Sequence, residues 1–301
     1  MLDFKTPTIE DRDWVRSIFH SAETLGSDNT FGNVYFWRES TKIKILKYKS
    51  LILRRYIDTD KIVKYRFPLG QGDVAEAIAL LKNDAEQAKL PLVLGGITED
   101  EKKELQRIMP DQFDFVEEPN REDYIYNTSD LINLSGRRYH AKRNHIAKFK
   151  NNYTWQYFDI NKGNIPECKR FVDYWFARNL ENKPANISEE KVAIHKALDY
   201  FDYFNLLGGV ILVDFKVVAL TIAEAINDNI VDIHFEKALT NYSGVYAMIN
   251  NEFARRKLSP FQYINREEDL GIEGLRKSKM SYHPCKILKR YEARPLDAVA
   301  R

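Results

Sequence analysis

The chain has 301 residues, 44% of them apolar and 13% aromatic, a globular composition long enough for two domains at roughly 100–200 residues each. Lys and Arg number 46 against 44 Asp and Glu, which excludes a histone-like polycation. The near-neutral total hides an asymmetry: residues 1–130 hold 19 basic and 24 acidic side chains, residues 131–301 hold 27 and 20, so a polyanionic partner is expected to meet the second half. The most apolar stretch, Val217–Ile226, is short and carries Glu224, so no membrane-spanning helix is expected. The first residues, MLDFKTPTIEDRDW, lack the basic and apolar regions of a secretory signal. With only Cys168 and Cys285, a disulfide scaffold is excluded and a reducing, cytoplasmic setting is expected. Six scattered histidines without an H-x-x-x-H pair predict no metal site. Walker A, G-x-G-x-x-G and G-x-S-x-G sequences are all absent, which weakens nucleotidase, Rossmann and hydrolase readings.

In chain order, residues 8–20 show helical apolar spacing after a Thr8 cap. Two strands follow at 43–48 and 50–57, turning at Lys49–Ser50, with a short strand at Arg66–Leu69. Asp73 caps a helix over 74–89, and PLVLGG at 91–96 is a buried strand. Thr98 and Glu101 form a capping box for a helix over 99–109, before strands near 113–117 and 124–127.

Residues 131–150, LINLSGRRYHAKRNHIAKFK, hold six basic residues, two histidines and no acid. With Ser135 as cap they predict a helix over about 136–150. Arg138, Lys142 and His145 share one stripe of it, with Tyr139, Arg143 and Ile146 alongside. A solvated linker helix accounts for this pattern. A polyanion also does, because it relieves the repulsion between like charges at helical spacing.

A strand at 154–160 and helices at 166–181 and 188–204 come next, broken at Lys183–Pro184–Ala185–Asn186. GVILVDF, VVALTIAEAI and NIVDIHFEKAL give three consecutive strands with tight turns. In the third, Asp232, His234 and Glu236 alternate with Val231, Ile233 and Phe235, which places three ionisable groups on one face. Glu224, on the apolar side of its strand, must be paired or hard to ionise. Either this is a charged solvent face, or it is a polar pocket that binds an amine, with Glu236, Glu224 or His234 as the base. A helix over 244–257, a strand at 261–265, a helix at 271–281 and a strand near 286–292 complete the chain. The whole reads as α/β (α+β): residues 1–130, then 131–301 with the basic linker helix at its start, each half a mixed, mostly antiparallel sheet with helices on it. The stretch YINREEDLGIEGLRKSKMSYHP at 263–284 ends a strand in an acidic turn, where Asp269 can cap a helix bearing Arg276, Lys277 and Lys279. Such a strand-to-helix junction favours a ligand, although a well-capped helix with a basic surface would look the same.

INLSGRRYHAKRNHIAKFK, followed about 110 residues later by YINREEDLGIEGLRKSKMSYHP, resembles the lysylphosphatidylglycerol synthetase C-terminal domain family, itself similar to the Fem-type peptidyltransferases. The resemblance covers essentially the whole chain and implies tandem GNAT-like domains. It implies that an aminoacyl group passes from tRNA, as co-substrate, to an amine or hydroxyl acceptor such as a peptide or lipid headgroup, with no further cofactor and with peripheral membrane contact open. Carried over from the K-R-N match, Lys142, Arg143 and Asn144 would lie near the tRNA end, with Arg137 and Arg138 as phosphate contacts. Asn265, Asp269, Gly271, Arg276 and Lys279 would line the cleft of the second domain, with Asp232 and Arg266 as substrate contacts. The chain departs from its membrane relatives in lacking a multi-span region, which opens the way to a soluble acceptor. Where acetyl-CoA users carry a glycine-rich pyrophosphate loop, this chain has Thr240-Asn241-Tyr242-Ser243-Gly244-Val245-Tyr246-Ala247, with one glycine and no basic residue. An acyl-CoA-dependent N-acyltransferase is therefore the alternative enzyme, and a catalytically silent binding module the alternative outside enzymology.

Overall fold

A computed structural model describes residues 2–179 and 187–296. They contain helices α1 (Arg12–Ser21), α2 (Phe31–Phe36), α3 (Val74–Gln87), α4 (Glu99–Ile108), α5 (Thr128–Asn133), α6 (His140–Asn152), α7 (Ile165–Asn179), α8 (Ile187–Asp199), α9 (Val245–Phe253) and α10 (Glu273–Met280). The strands are β1 (Lys44–Tyr48), β2 (Leu51–Ile57), β3 (Val63–Tyr65), β4 (Leu69–Gly70), β5 (Leu94–Ile97), β6 (Phe113–Glu117), β7 (Asp123–Asn127), β8 (Trp155–Asp159), β9 (Leu207–Val213), β10 (Lys216–Ala225), β11 (Ile230–Ala238), β12 (Tyr263–Asn265), β13 (Lys286–Leu288) and β14 (Tyr291–Pro295).

The local signals act as the sequence requires. Asp73 accepts the Glu76 amide at 3.0 Å to start α3. Thr98 and Glu101 exchange reciprocal bonds to start α4. Lys49, at φ 53°, turns β1 into β2. Other signals act differently. Ser135 caps nothing: Gly136, at φ 82°, leads into a short 3-10 turn at Arg137–Tyr139, and α6 begins only at His140. In place of the strand read at 66–69, β3 ends at Tyr65 and β4 begins at Leu69. Helix α2 carries no amphipathic signal because almost all of it is buried. The break expected at 183–186 lies outside the described residues.

Two sheets result. The first runs β1-β2-β3-β5-β14-β6, with β4 on β2, and the second runs β13-β7-β12-β11-β10-β9-β8. Within the second, β8 to β11 form an antiparallel meander and β12 joins β11 in parallel. The chain divides into two compact units, Met1–Tyr124 with Glu268–Lys277 and Ile287–Arg301, and Ile125–Glu267 with Ser278–Lys286. The last strand, β14, therefore sits inside the first sheet. Leu51, Leu53, Tyr65, Ile78, Leu81 and Leu94 form the core of the first unit. Leu220, Ile222, Val231, Phe235, Met248 and Phe253 are buried in the second. Each such side chain contributes roughly 1.5–3 kcal/mol by leaving water. Among the described residues, no helix is long and apolar enough to cross a membrane.

Candidate functional site

The decisive local feature is a break in the pairing of β10 with β11. Ile222 lies opposite Phe235 and the next residue, Ala223, opposite Ile233, so His234 is an extra residue without its own partner. Such a bulge inverts the side-chain alternation. On one side of it Thr221 faces Glu236, and on the other Glu224 faces Asp232. Thr221 and Glu224 are three residues apart and so point to opposite faces of β10. The single polar stripe expected over Asp232, His234 and Glu236 is thus two separate ionic groups.

The first group surrounds His234. Its Nε2 stands 3.2 Å from Glu224, and its Nδ1 stands 3.1 Å from Asp232 and 3.5 Å from Glu267. Burial opposes charging the ring, yet Asp232 and hydrogen bonds to Asp232, Glu224 and Glu267 hold its pKa well above the usual histidine range. That environment favours the imidazolium, a form with no lone pair to receive a proton. Glu224 is paired, as its position demanded. Asp232, His234 and Glu267 offer ligand atoms within 4.8 Å of one another. His234 and Glu224 are better suited to fixing the bulge than to the base chemistry expected of them.

The second group surrounds Glu236. Arg266 Nη2 donates to its Oε1 at 2.9 Å and Asn250 Nδ2 to its Oε2 at 3.3 Å. The Arg266 guanidinium lies 4.9 Å from the Tyr282 ring and 5.8 Å from that of Tyr126. Lys142 Nζ lies 3.8 Å from the Tyr282 ring centre and donates to Ser281 Oγ at 2.6 Å. Burial and the neighbouring Arg266 lower the Lys142 pKa to about 8. Three buried atoms here lack a partner: Arg266 Nη1, Asn250 Oδ1 and Thr221 Oγ1. A buried polar group left unpaired costs about 1–3 kcal/mol. A donor, an acceptor and a hydroxyl beside one carboxylate call for a polar partner, a bound water or a ligand group.

The remaining predicted residues divide between the units. Asn265 is buried and accepts the Glu267 amide at 2.6 Å, while Lys279 Nζ holds the carbonyls of Arg266 and Glu267 at 2.6 and 3.0 Å. These bonds brace the turn from which Arg266 reaches one ionic group and Glu267 the other. Asp269, Gly271 and Arg276 belong to the first unit. There Asp269 accepts from Arg276 Nε at 2.7 Å, Tyr124 at 2.6 Å and the Gly271 amide at 2.8 Å. Of the residues expected to line one cleft, Asn265 and Lys279 thus fall in the second unit and Asp269, Gly271 and Arg276 in the first. On the basic segment, Arg143 binds the carbonyls of Leu134 and Gly136, Arg138 pairs with Asp130 at 3.2 Å, and Asn144 bonds His140. Arg137 is exposed on the 3-10 turn.

Sequence reasoning missed Asn250, Thr221, Tyr126 and Tyr282. A signal did exist for Asn250, the carboxamide at which the apolar first half of α9 gives way to Asn251 and Glu252. The first unit also holds a largely buried ion cluster. Arg290 meets Asp28 and Asp123, each at 2.8 Å, and Arg66 and Arg54 flank Asp28 at 3.5 and 3.9 Å. Although burial disfavours its charge, Arg290, Arg66 and Arg54 hold the Asp28 carboxyl far below the usual carboxylate range.

The start of α9, where acetyl-CoA enzymes seat pyrophosphate, is filled from within the unit. Gly244 adopts φ 87°, and a Cβ there would stand 2.1 Å from the His145 carbonyl oxygen of α6. The Ser243 amide is already bonded to Tyr153 Oη at 3.2 Å.

Comparison with known proteins adds to this geometry. The family described as "Phosphatidylglycerol lysyltransferase, C-terminal" matches residues 19–294. An uncharacterised protein of Mycoplasmoides gallisepticum is 26% identical over 173 residues, 56% of this chain and 54% of that protein, so the match spans about half the relative's length. A crystal structure of a conserved protein of unknown function from Bacteroides thetaiotaomicron is 36% identical, with a TM-score of 0.93 over 98% of this chain and all of that one. L-PGS from Bacillus licheniformis shares the fold at 12% identity, with a TM-score of 0.70 over 99% of this chain and 96% of that one. A tandem GNAT protein from the clavulanic acid pathway does so at 9% identity, with a TM-score of 0.51 over 98% of each chain. The fold is that of tandem GNAT-like proteins.

Proposed function

The chain belongs to the phosphatidylglycerol lysyltransferase C-terminal family, and on that premise we propose that it moves an aminoacyl group from tRNA to an amine or hydroxyl acceptor, using the Glu236 group of the second unit. The family and the fold neighbours point to aminoacyl transfer as the kind of activity. The observation that carries the reading to this site is the unmet set of Arg266 Nη1, Asn250 Oδ1 and Thr221 Oγ1 around a carboxylate. An aminoacyl ester has complementary parts: an α-ammonium for Glu236 and the Asn250 carbonyl, and an ester carbonyl for the free N–H of Arg266. The ester is already activated, so the protein needs mainly to align acceptor and carbonyl and to stabilise the oxyanion. The exposed cations of the basic segment, Arg137 and Lys148 among them, suit the phosphates of the tRNA end. The crowding at Gly244 and the occupied Ser243 amide count against coenzyme A as donor.

The test uses the full chain, bulk tRNA charged with a mixture of labelled amino acids, and a small-molecule and lipid extract as acceptors. We expect label to leave the tRNA for the acceptor fraction, with saturable tRNA binding that weakens steeply with salt. Glu236→Gln should lower transfer by about ten- to a hundred-fold while tRNA binding persists, because it weakens alignment and not capture. Absence of both binding and transfer would overturn the reading. Thermal stabilisation by coenzyme A alone would instead favour the acyl-CoA enzyme.

A further inference from the structure

The transfer needs a group that takes a proton from the acceptor, and the second unit offers a candidate outside the polar strand. His234 is enclosed by Asp232, Glu224 and Glu267, which favour its protonated form. Both oxygens of Glu236 are engaged, one with Arg266 and one with Asn250. Lys142 differs from both. Its Nζ rests on the Tyr282 ring and is bonded to the Ser281 hydroxyl, and among the described residues no carboxylate lies within 4.0 Å of it. Arg266 lies over the same ring, carrying the buried Nη1 that has no acceptor. The charged groups facing Lys142 are thus Arg266, which opposes its protonation, and Glu236, which favours it and is bonded to Arg266. Arg138 on the preceding 3-10 turn and Arg143 on the same helix turn to Asp130 and to backbone carbonyls.

We propose that Lys142, as a neutral amine, is the catalytic base of this transfer. This rests on the function proposed above. The lone pair of Lys142 Nζ takes the proton of the acceptor hydroxyl or neutral amine as that atom bonds to the ester carbonyl carbon. The tetrahedral intermediate, its oxyanion facing Arg266 Nη1, then collapses. The bond from the carbonyl carbon to the ribose oxygen breaks, and that oxygen takes the proton back from the Lys142 ammonium. One aminoacyl bond forms, one breaks, and the amine is regenerated without any further reactant. A lysine serves as a base near neutral pH when burial or a neighbouring cation lowers its pKa, and Lys142 is half-buried with Arg266 beside it.

Lys142→Arg keeps a cation at this position but cannot release its proton in the working range. In the labelled-tRNA assay, corrected for spontaneous ester hydrolysis, we expect Lys142→Arg to transfer about 10²–10⁴-fold more slowly, with tRNA binding and melting temperature unchanged. The wild-type rate should rise with pH and level off near pH 8, and the variant's profile should lose that step. Equal rates and equal profiles for wild type and variant would overturn the base assignment while leaving the function standing. Failure of the wild type to transfer to any acceptor would remove both. A substrate-free measurement keeps the outcome independent of assay conditions: competitive acetylation by acetic anhydride, read by mass spectrometry across pH. Half-maximal labelling of Lys142 is expected near pH 8, and labelling that tracks ordinary exposed lysines would overturn the proposal.

Discussion

Gly244 decides how closely two helices can approach. It sits at φ 87°, where an L side chain is strained, and the His145 carbonyl of α6 occupies the space a Cβ would need. Replacing it with alanine combines backbone strain with a displacement of helix backbone, which cannot swing aside as a side chain would. We expect Gly244→Ala to lower stability by about 2–4 kcal/mol, measured by urea unfolding, whereas Gly136→Ala, with nothing within 4 Å of its Cβ position, should show only the backbone part of that loss. Near-equal losses would mean that the helix contact is not tight. The sequence marks Gly244 as the surviving glycine of a degenerate loop but cannot say what fills the loop, because α6 is about a hundred residues away in the chain. The same limit applies to the Glu236 site. Glu236, Arg266 and Lys142 are legible as unusual residues. Their convergence with Asn250 and Tyr282 depends on packing between β11, α9 and α6, which no local pattern encodes.

Strand β11 shows what periodicity reveals and what it hides. The boundaries of β11 and its alternation of apolar and ionisable residues are readable in the sequence, as are the Thr98–Glu101 capping box and the hairpin turns, because these depend on neighbours within four residues. The bulge at His234 is not. A bulge is set by register against β10, and it divides what period two would keep together. Its energetic anchor is the imidazolium. Because the folded-state pKa of His234 is raised above the unfolded value of about 6.5, its stabilisation is fully present below pH 6.5. It is lost as pH rises through the higher folded value. Wild-type stability should therefore fall as pH is raised from neutrality. In His234→Asn, Asp232, Glu224 and Glu267 lose their shared cation, and we expect a loss of about 3–5 kcal/mol at pH 7. Mild acid should restore part of it by protonating the stranded carboxylates. Thermal melts at pH 5, 7 and 9 test this, and a variant as stable as wild type at pH 7 would mean that the cluster is not what holds the bulge.

At the scale of the whole chain, the doubled order of elements was legible and correctly suggested two α/β sheets. The ownership of their strands was not. β14, from the last residues of the chain, lies between β5 and β6 in the first sheet, and β7, from the first half, lies between β13 and β12 in the second. Nothing in the composition of either strand names its sheet, since both are five-residue segments that would fit many neighbours. Turns and caps are local, but sheet membership is decided by which long-range pairing buries the most apolar surface. The consequence is mechanical. A cut at residue 130 removes an interior strand from each sheet, exposing unpaired edges at β5, β6 and β12. Fragments 1–130 and 131–301 made separately should therefore fail to fold cooperatively, with broad melts and low amide protection in β5 and β12. Joining residues 287–296 back to the first fragment through a flexible linker should recover protection in β5 and β6. Cooperative folding of the unmodified 1–130 fragment, seen as a sharp transition with protected β5 amides, would mean that the first sheet does not need β14 and that the exchange is an ornament of the fold, not its closing step.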